Sequence, residues 1–237
     1  MKKLSYKDVN IYIEKIAVLV EDFNCDNPGG RVKNEHIAGR RLLFNGVLEE
    51  YPDLTSGWDF WEWLEGDASR EIKIEERGKP YFQDRSLPRF SISHSGEYVV
   101  CALSKHEVGC DIQIMEGKDS DRTLKIGKRF FSEREFLDME RAEDPQDYFY
   151  RIWTIKESYI KALGEGLSLP LDSFYVEISE GDSLGEKRES QIRITDNNSN
   201  KNNPDRESVR GINVAPRVFE FELPGYKGAV CVLSQIG

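Results

Sequence analysis

Three side chains on two short segments carry the first sign of chemistry. In Val108-Gly109-Cys110-Asp111-Ile112-Gln113 an aspartate stands near the end of a run that reads as a strand. In Trp153-Thr154-Ile155-Lys156-Glu157-Ser158-Tyr159-Ile160-Lys161-Ala162-Leu163-Gly164 a glutamate and a lysine, Glu157 and Lys161, stand four residues apart on a predicted helix. Residues at that spacing share a helix face. Asp111 and Gln113, two apart on a strand, also point the same way. An acid from each element, brought to one place, is a way to hold Mg²⁺ against a phosphate. The lysine adds a second positive charge for the same phosphate. Together they imply phosphoryl-group chemistry. Taken singly, each has a plainer reading: a surface salt bridge for Glu157 and Lys161, a turn residue for Asp111.

The elements that must position these residues can be read on both sides of them. Ile11 to Val20 is apolar and β-branched, which favours a strand, a helix being the alternative. Residues 35 to 50 place Ile37, Leu43 or Phe44, and Val47 or Leu48 at helical spacing. Ile72 to Ile74 reads as a short strand and Gly78-Lys79-Pro80 as a turn. Phe90 to Ser95, Tyr98 to Ser104 and Glu107 to Met115 read as three strands, the last with Asp111 and Gln113 on one face and Cys110, Ile112 and Ile114 on the other. Thr123 to Phe131 reads as a helix. Ser132 and Glu135 form a capping box for the next helix, through about Arg141. A longer helix runs from Asp147 to Leu163, with Gly164 as its C-cap. Phe174 to Ile178, Gln191 to Ile194, Val218 to Leu223 and Ala229 to Leu233 read as strands. The Asn-, Asp- and Ser-rich stretch 195 to 210 reads as a mobile hairpin tip. Val100-Cys101-Ala102-Leu103-Ser104 returns as Val230-Cys231-Val232-Leu233-Ser234. Since each half also reads as a helix followed by strands, the echo suggests two related α+β halves joined near residues 115 to 122, with a cleft between them.

Composition bounds the function. A chain of 237 residues, 38% hydrophobic and 32% charged, is an ordinary soluble protein large enough for a substantial core. No apolar run approaches the ~20 residues of a membrane span. Tyr6-Lys7-Asp8-Val9-Asn10, with Glu14 and Lys15, breaks any signal-peptide apolar region, so the expected location is the cytoplasm. The net charge of −10 argues against a general nucleic-acid binder but not against a small anionic ligand met by local cations. The four cysteines lie far apart, without CxxC spacing, and Cys101 and Cys110 sit in apolar runs. The three histidines, His36, His94 and His106, are scattered and give zinc little support. No GxxxxGK[ST] phosphate loop occurs, which weighs against a generic Mg²⁺-dependent nucleotide hydrolase.

The wider series makes the sharper reading. Gly78-Lys79-Pro80, Phe90-Ser91-Ile92-Ser93-His94-Ser95, Val108-Gly109-Cys110-Asp111, Arg129-Phe130-Phe131-Ser132-Glu133-Arg134-Glu135, Trp153 to Lys161 and Gly164-Glu165-Gly166-Leu167-Ser168-Leu169-Pro170-Leu171-Asp172-Ser173-Phe174 follow in order. This series resembles the 4′-phosphopantetheinyl transferases of the single-chain, surfactin-synthetase-activating (Sfp) type, densely over residues 78 to 176. The resemblance implies an α+β pseudo-dimer with the active site between two similar halves, 1–115 on the coenzyme A side and 116–237 with the metal-binding helix and carrier docking. It implies transfer of the phosphopantetheine arm of coenzyme A to a serine of an apo peptidyl, polyketide or fatty-acid carrier protein, with release of 3′,5′-ADP. Mg²⁺ is the implied cofactor, on Asp111, Gln113 and Glu157, with Glu157 and Lys161 as the catalytic pair. Arg40, Lys79, Ser93, His94 and Lys156 match the coenzyme A side, His94 near the 3′-phosphate. Many family members carry an acid where this chain has Gln113, so weaker metal binding is expected. Glu135 matches a position linked to proton transfer, or serves only as a cap. The same resemblance admits an inactive coenzyme A- or carrier-binding homologue. The expected partners are small molecule and carrier, with no nucleic acid or membrane, and the chain is expected to be a monomer. Lys125, Lys128, Arg129 and Arg134 are candidate docking cations.

Overall fold

The structure is a computed structural model that describes residues 1–22, 30–65, 72–115, 120–179, 191–196, 208–209 and 212–235. Most of the 195–210 stretch read as a hairpin tip lies outside the described residues. The strands are β1 (Lys2–Tyr6), β2 (Val9–Lys15), β3 (Ile72–Ile74), β4 (Pro80–Phe82), β5 (Arg89–Ser95), β6 (Tyr98–Ser104), β7 (Glu107–Ile114), β8 (Phe174–Ser179), β9 (Gln191–Asp196), β10 (Ser208–Val209), β11 (Ile212–Leu223) and β12 (Tyr226–Gln235). The helices are α1 (Ile16–Leu19), α2 (Gly30–Glu50), α3 (Phe60–Glu65), α4 (Ser120–Phe130), α5 (Glu133–Arg141) and α6 (Pro145–Leu163). Two four-stranded antiparallel sheets dominate, in the orders β1-β2-β6-β5 and β10-β11-β12-β7. The apolar run Ile11 to Val20 is not one strand. Its ladder with β6 ends at Lys15, Ile16 N–H donates to Glu97 O, and α1 begins there.

Strand alternation builds the layers. On β6, Val99, Cys101 and Leu103 pack with Leu42, Leu43 and Val47 of α2. The intervening Val100 and Ala102 pack with Val108, Cys110, Val230 and Val232 of the second sheet. On β12, Ala229, Cys231 and Leu233 pack with Ile152, Ile155 and Tyr159 of α6. The order of layers is therefore α2, first sheet, second sheet, α6. The repeated pentapeptide sits at matching places. Val100 and Val230 face the middle layer, and Cys101 and Cys231 face the helices. β6 and β12 are each an inner strand of their sheet. Each fully buried Leu, Ile, Val or Phe in these layers contributes about 1.5–3 kcal/mol. No helix of the described residues is long and apolar enough to cross a membrane.

β5 and β7 are edge strands of different sheets, and they run side by side. Cys110 N–H donates to Ser91 Oγ at 3.0 Å and Ile114 N–H donates to Ser95 Oγ at 3.0 Å. Residue 91 meets 110 and 95 meets 114, so the two strands run in the same direction. Serine at alternate positions of β5 thus joins the sheets by side chains instead of a backbone ladder. Ser93, between the two joints, faces Asp111.

Candidate active site

The site forms where α6 meets this seam. Asp144 starts α6: its carboxylate accepts from Gln146 N–H and Asp147 N–H, and Pro145 occupies the first turn. Gly164 ends it in a left-handed conformation at φ 70°. Close approach of the helix to β7 depends on Gly109. A methyl group at that position would lie 2.8 Å from the carbonyl carbon of Lys161 and nearer still to Ser158 O and Ala162 N. Glycine therefore lets the α6 backbone rest directly on β7, one pleat from Asp111. Residues 109 and 111 face the same side of the strand, so the contact that seats the helix also sets Glu157 and Lys161 beside the aspartate.

Asp111 is 2% exposed and its oxygens are well supplied with donors. Lys161 Nζ lies 2.7 Å from Oδ1, Ser93 Oγ donates to Oδ1 at 2.8 Å, and Gln113 Nε2 donates to Oδ2 at 3.2 Å. Lys161 Nζ also donates to Ser93 Oγ at 3.0 Å. Burial disfavours the ammonium, but the neighbouring Asp111 carboxylate outweighs this and holds the Lys161 pKa above its ordinary value. Glu157 is in a different position. No hydrogen bond or ion pair reaches its side chain among the described residues. Burial, and then the Asp111 charge, push its pKa above the usual carboxylate range, with Lys161 acting the other way. A poorly solvated carboxylate facing a second one is a place where a cation would be stabilising.

Among the described residues no three His, Cys, Asp or Glu are grouped to hold a metal by protein alone. Mg²⁺ does not require such a cage. It takes hard oxygen ligands and commonly uses one or two carboxylates, completing its shell with water and substrate phosphates. Asp111, Glu157 and the side-chain carbonyl of Gln113 fit that use. The residues that carry this arrangement lie within a sequence pattern common to a known group: residues 107–204 match the 4′-phosphopantetheinyl transferase superfamily. Over that segment the chain is similar to the superfamily. A 4′-phosphopantetheinyl transferase of Bacillus subtilis is 45% identical over 115 residues, 48% of this chain and 50% of that one. The 4′-phosphopantetheinyl transferase Sfp of Bacillus subtilis strain 168 is 39% identical over 162 residues, 68% of this chain and 62% of that one. The transferase gsp of Aneurinibacillus migulanus is 40% identical over 126 residues, 52% of this chain and 51% of that one. The matches thus span about half to three-fifths of these relatives' length. A solved holo-(acyl-carrier-protein) synthase of Thermotoga maritima aligns at a TM-score of 0.37 with 18% identity, over 55% of this chain and 64% of that one, too slight a likeness to argue from.

Of the residues expected from the sequence to form the site, Asp111, Gln113, Glu157, Lys161 and Ser93 come together at the seam. The coenzyme A-side candidates are spread out. His94 follows Ser93 on β5 and so points to the opposite face, where its Nδ1 lies 3.6 Å from Glu35 Oε2 of α2. Arg40, also on α2, lies 5.9 Å from the Trp63 ring centroid, and its burial lowers its pKa. Lys79 is largely enclosed: its Nζ donates to Ala162 O at 2.6 Å and to Glu107 Oε2 at 2.8 Å, bracing the C-terminal end of α6.

Lys156 does not join this group. Its side chain is 0% exposed, and Nζ donates to Leu171 O at 2.7 Å and Phe174 O at 2.6 Å and pairs with Glu135 Oε2 at 2.9 Å. All three ammonium hydrogens therefore have protein partners, and none remains for a coenzyme A phosphate. Glu135 is equally committed. It closes the capping box with Ser132 and accepts from Val176 N–H at 2.8 Å. The cap reading of Glu135 accounts for its surroundings. On α4, Lys125, Lys128 and Arg129 are exposed, whereas Arg134 pairs with Glu177 at 2.7 Å. Sequence reasoning missed Gly109, Ser158 and Ala162 as parts of the site. Their one signal was a set of small residues within two positions of the acids and the lysine.

Proposed function

We propose that this chain transfers the 4′-phosphopantetheine group of coenzyme A to a serine of an apo carrier protein and releases 3′,5′-ADP. The observation that carries the reading is the convergence of Asp111, Glu157 and Lys161 at the β5–β7–α6 seam. The reading includes two α+β halves, 1–115 and 116–237, acting across a cleft, in a monomer working in the cytoplasm.

In this mechanism Asp111 and Glu157, with the Gln113 carbonyl, would hold Mg²⁺ beside the pyrophosphate. When bound, the ion supplies charge neutralisation on the pyrophosphate oxygens. The carrier serine oxygen forms a bond to the β-phosphorus, and the bond from that phosphorus to the bridging oxygen of 3′,5′-ADP breaks. Glu157, with its raised pKa, is suited to accept the serine proton directly or through a water it orients. Lys161 stabilises the departing phosphate oxygen. Arg40, His94 and Lys79 bind the nucleotide side, with His94 at the 3′-phosphate. Exposed Lys125, Lys128 and Arg129 form a docking face for an acidic carrier, with Leu137 on α5 as an apolar contact. The test is intact mass of apo peptidyl, polyketide and fatty-acid carriers after incubation with the protein, coenzyme A and Mg²⁺. One added phosphopantetheine per carrier is expected, together with 3′,5′-ADP that forms only when a carrier is present. Coenzyme A binding without any mass gain across the panel would refute the transferase reading and leave an inactive homologue.

A further inference from the structure

Lys161 is placed where the metal would have to be. Its ammonium lies 2.7 Å from Asp111 Oδ1 and is further held by Ser93 Oγ at 3.0 Å. A cation bridging Asp111 and Glu157 needs an oxygen of the same buried carboxylate. A dication and an ammonium cannot share it closely, because like charges a few ångströms apart repel strongly in a partly desolvated site. One of them must leave. The lysine can do so: its stem is four flexible carbons, and its side chain is 32% exposed. Glu157, without a hydrogen-bonding partner among the described residues, and Gln113, neutral where a further acid would add attraction, leave Asp111 as the anchor for which the two cations compete.

We propose that Lys161 and the divalent cation exchange at Asp111: the ammonium occupies the carboxylate in the resting protein, and arrival of the metal releases it to reach the phosphate groups. The inference rests on the transferase reading for the identity of the metal's second partner, the pyrophosphate. Lys161 is then both a competitor for the metal site and a phosphate contact made available only once the metal is in place. Before the exchange the ammonium stabilises Asp111 and keeps water from it. After the exchange the same charge is delivered toward the reacting oxygens. Ser93, which touches both partners, is the relay point from which the ammonium departs.

The exchange is tested with Mn²⁺ as the probe, by electron paramagnetic resonance of the free ion, on the full chain without coenzyme A. Lys161→Met and Lys161→Gln should each bind Mn²⁺ at least tenfold more tightly than wild type. The gain should vanish when Asp111→Asn is added. Equal or weaker binding by both Lys161 variants would overturn the exchange, as would tight binding that survives Asp111→Asn or absence of binding by every form. A second measurement uses the unaltered protein. Acetic anhydride labelling, read by peptide mass, should modify Lys161 faster with saturating Mg²⁺ than without it. An unchanged or slower rate would overturn the release step even if a variant failed to fold. The transferase reading fails separately: a carrier panel that gains no mass would refute that reading and leave the Mn²⁺ ranking intact.

Discussion

Replacing Gly109 by alanine adds one methyl group and touches no substrate, yet it should disable the site. The new carbon would fall 2.8 Å from the carbonyl carbon of Lys161 and closer to Ser158 O and Ala162 N. Favourable carbon contacts begin near ~3.5 Å, and every obstructing atom here is backbone, so no side chain can swing aside. Helix α6 must retreat from β7 by about 1 Å. Overpacking of this kind costs about 1–3 kcal/mol. The loss of chain freedom in the unfolded state works in the opposite direction by about 0.4–1 kcal/mol, so a net loss remains. For a chain of this size each kcal/mol shifts the midpoint by roughly 2–4 °C, giving a fall of a few degrees in a thermal melt. The larger effect is on geometry. Asp111 stays on β7 while Glu157 and Lys161 move with the helix, and a misplacement of about 1 Å costs on the order of 100-fold in rate. Circular-dichroism melting and a carrier-mass assay under saturating coenzyme A measure the two consequences separately. A variant that melts and turns over like wild type would refute the close approach. One that melts lower but turns over normally would refute the claim that Gly109 positions the helix residues for chemistry.

Four further outcomes follow from the same geometry. Glu157→Gln should abolish transfer yet raise the melting temperature above the carboxylate range. A raised carboxyl pKa means the folded state resists ionisation, so the cost is absent at low pH, where Glu157 is protonated folded and unfolded, and grows as pH rises through the raised value; a gain that is larger at pH 4 than at pH 8 contradicts this. Gln113→Glu should lower the Mg²⁺ concentration for half-maximal rate, because it adds a charge beside Asp111 Oδ2, and an unchanged titration would place Gln113 outside the metal's reach. Lys156→Met should destabilise by about 3–5 kcal/mol, since it strands the buried Glu135 charge; an unchanged denaturant midpoint with a raised KM for coenzyme A would restore Lys156 to the ligand side. His94→Ala should lose most of the preference for coenzyme A over its 3′-dephospho form, and equal discrimination by wild type and variant would remove His94 from the 3′-phosphate.

What was legible in the sequence followed from short-range periodicity. The i and i+4 spacing put Glu157 and Lys161 on one face, and strand alternation separated Asp111 and Gln113 from Cys110 and Ile112: the first pair bond to each other and to Lys161 of α6, whereas the second pack in the middle layer. The capping box at Ser132 and the left-handed Gly164 were equally local signals. Lys156 was misplaced for a reason the same rules contain. Neighbours on a helix do not face each other, so a lysine adjacent to Glu157 points away from the site Glu157 enters. Motif matching overrode that geometry. Gly109 was unreadable for a different reason. Its glycine serves a contact with residues about fifty positions away, and its place inside a strand, beside the acids, says only that some backbone comes close, not which one. The break at Ile16 was hidden because the apolar run continues through it, while the hydrogen bond to Glu97 that ends the strand comes from another hairpin.

Helix α6 is fixed by anchors on three sides, none of which needs to meet a substrate. Gly109 admits its backbone to β7. Lys156 ties it to Glu135 and to the carbonyls of Leu171 and Phe174 on the opposite side. Lys79, from the turn before β4, holds Ala162 O at its C-terminal end. The first sets the depth of the helix, the second its rotation and the third its end. Glu157 and Lys161 are left to project into the seam, the first without a side-chain partner among the described residues and the second bonded there to Asp111 and Ser93. This separation has a consequence for interpreting variants. Substitution of any anchor will reduce transfer, and activity alone cannot distinguish an anchor from a ligand. Stability can: a ligand in a strained, poorly solvated site is expected to be neutral or stabilising when neutralised, as argued for Glu157, whereas each anchor should destabilise in proportion to the buried partners it abandons. Lys79 lies at the boundary of the two classes, because it braces α6 through two bonds and keeps one ammonium hydrogen for a phosphate. A loss of stability in Lys79→Ala together with a raised KM for coenzyme A would show both roles in one side chain.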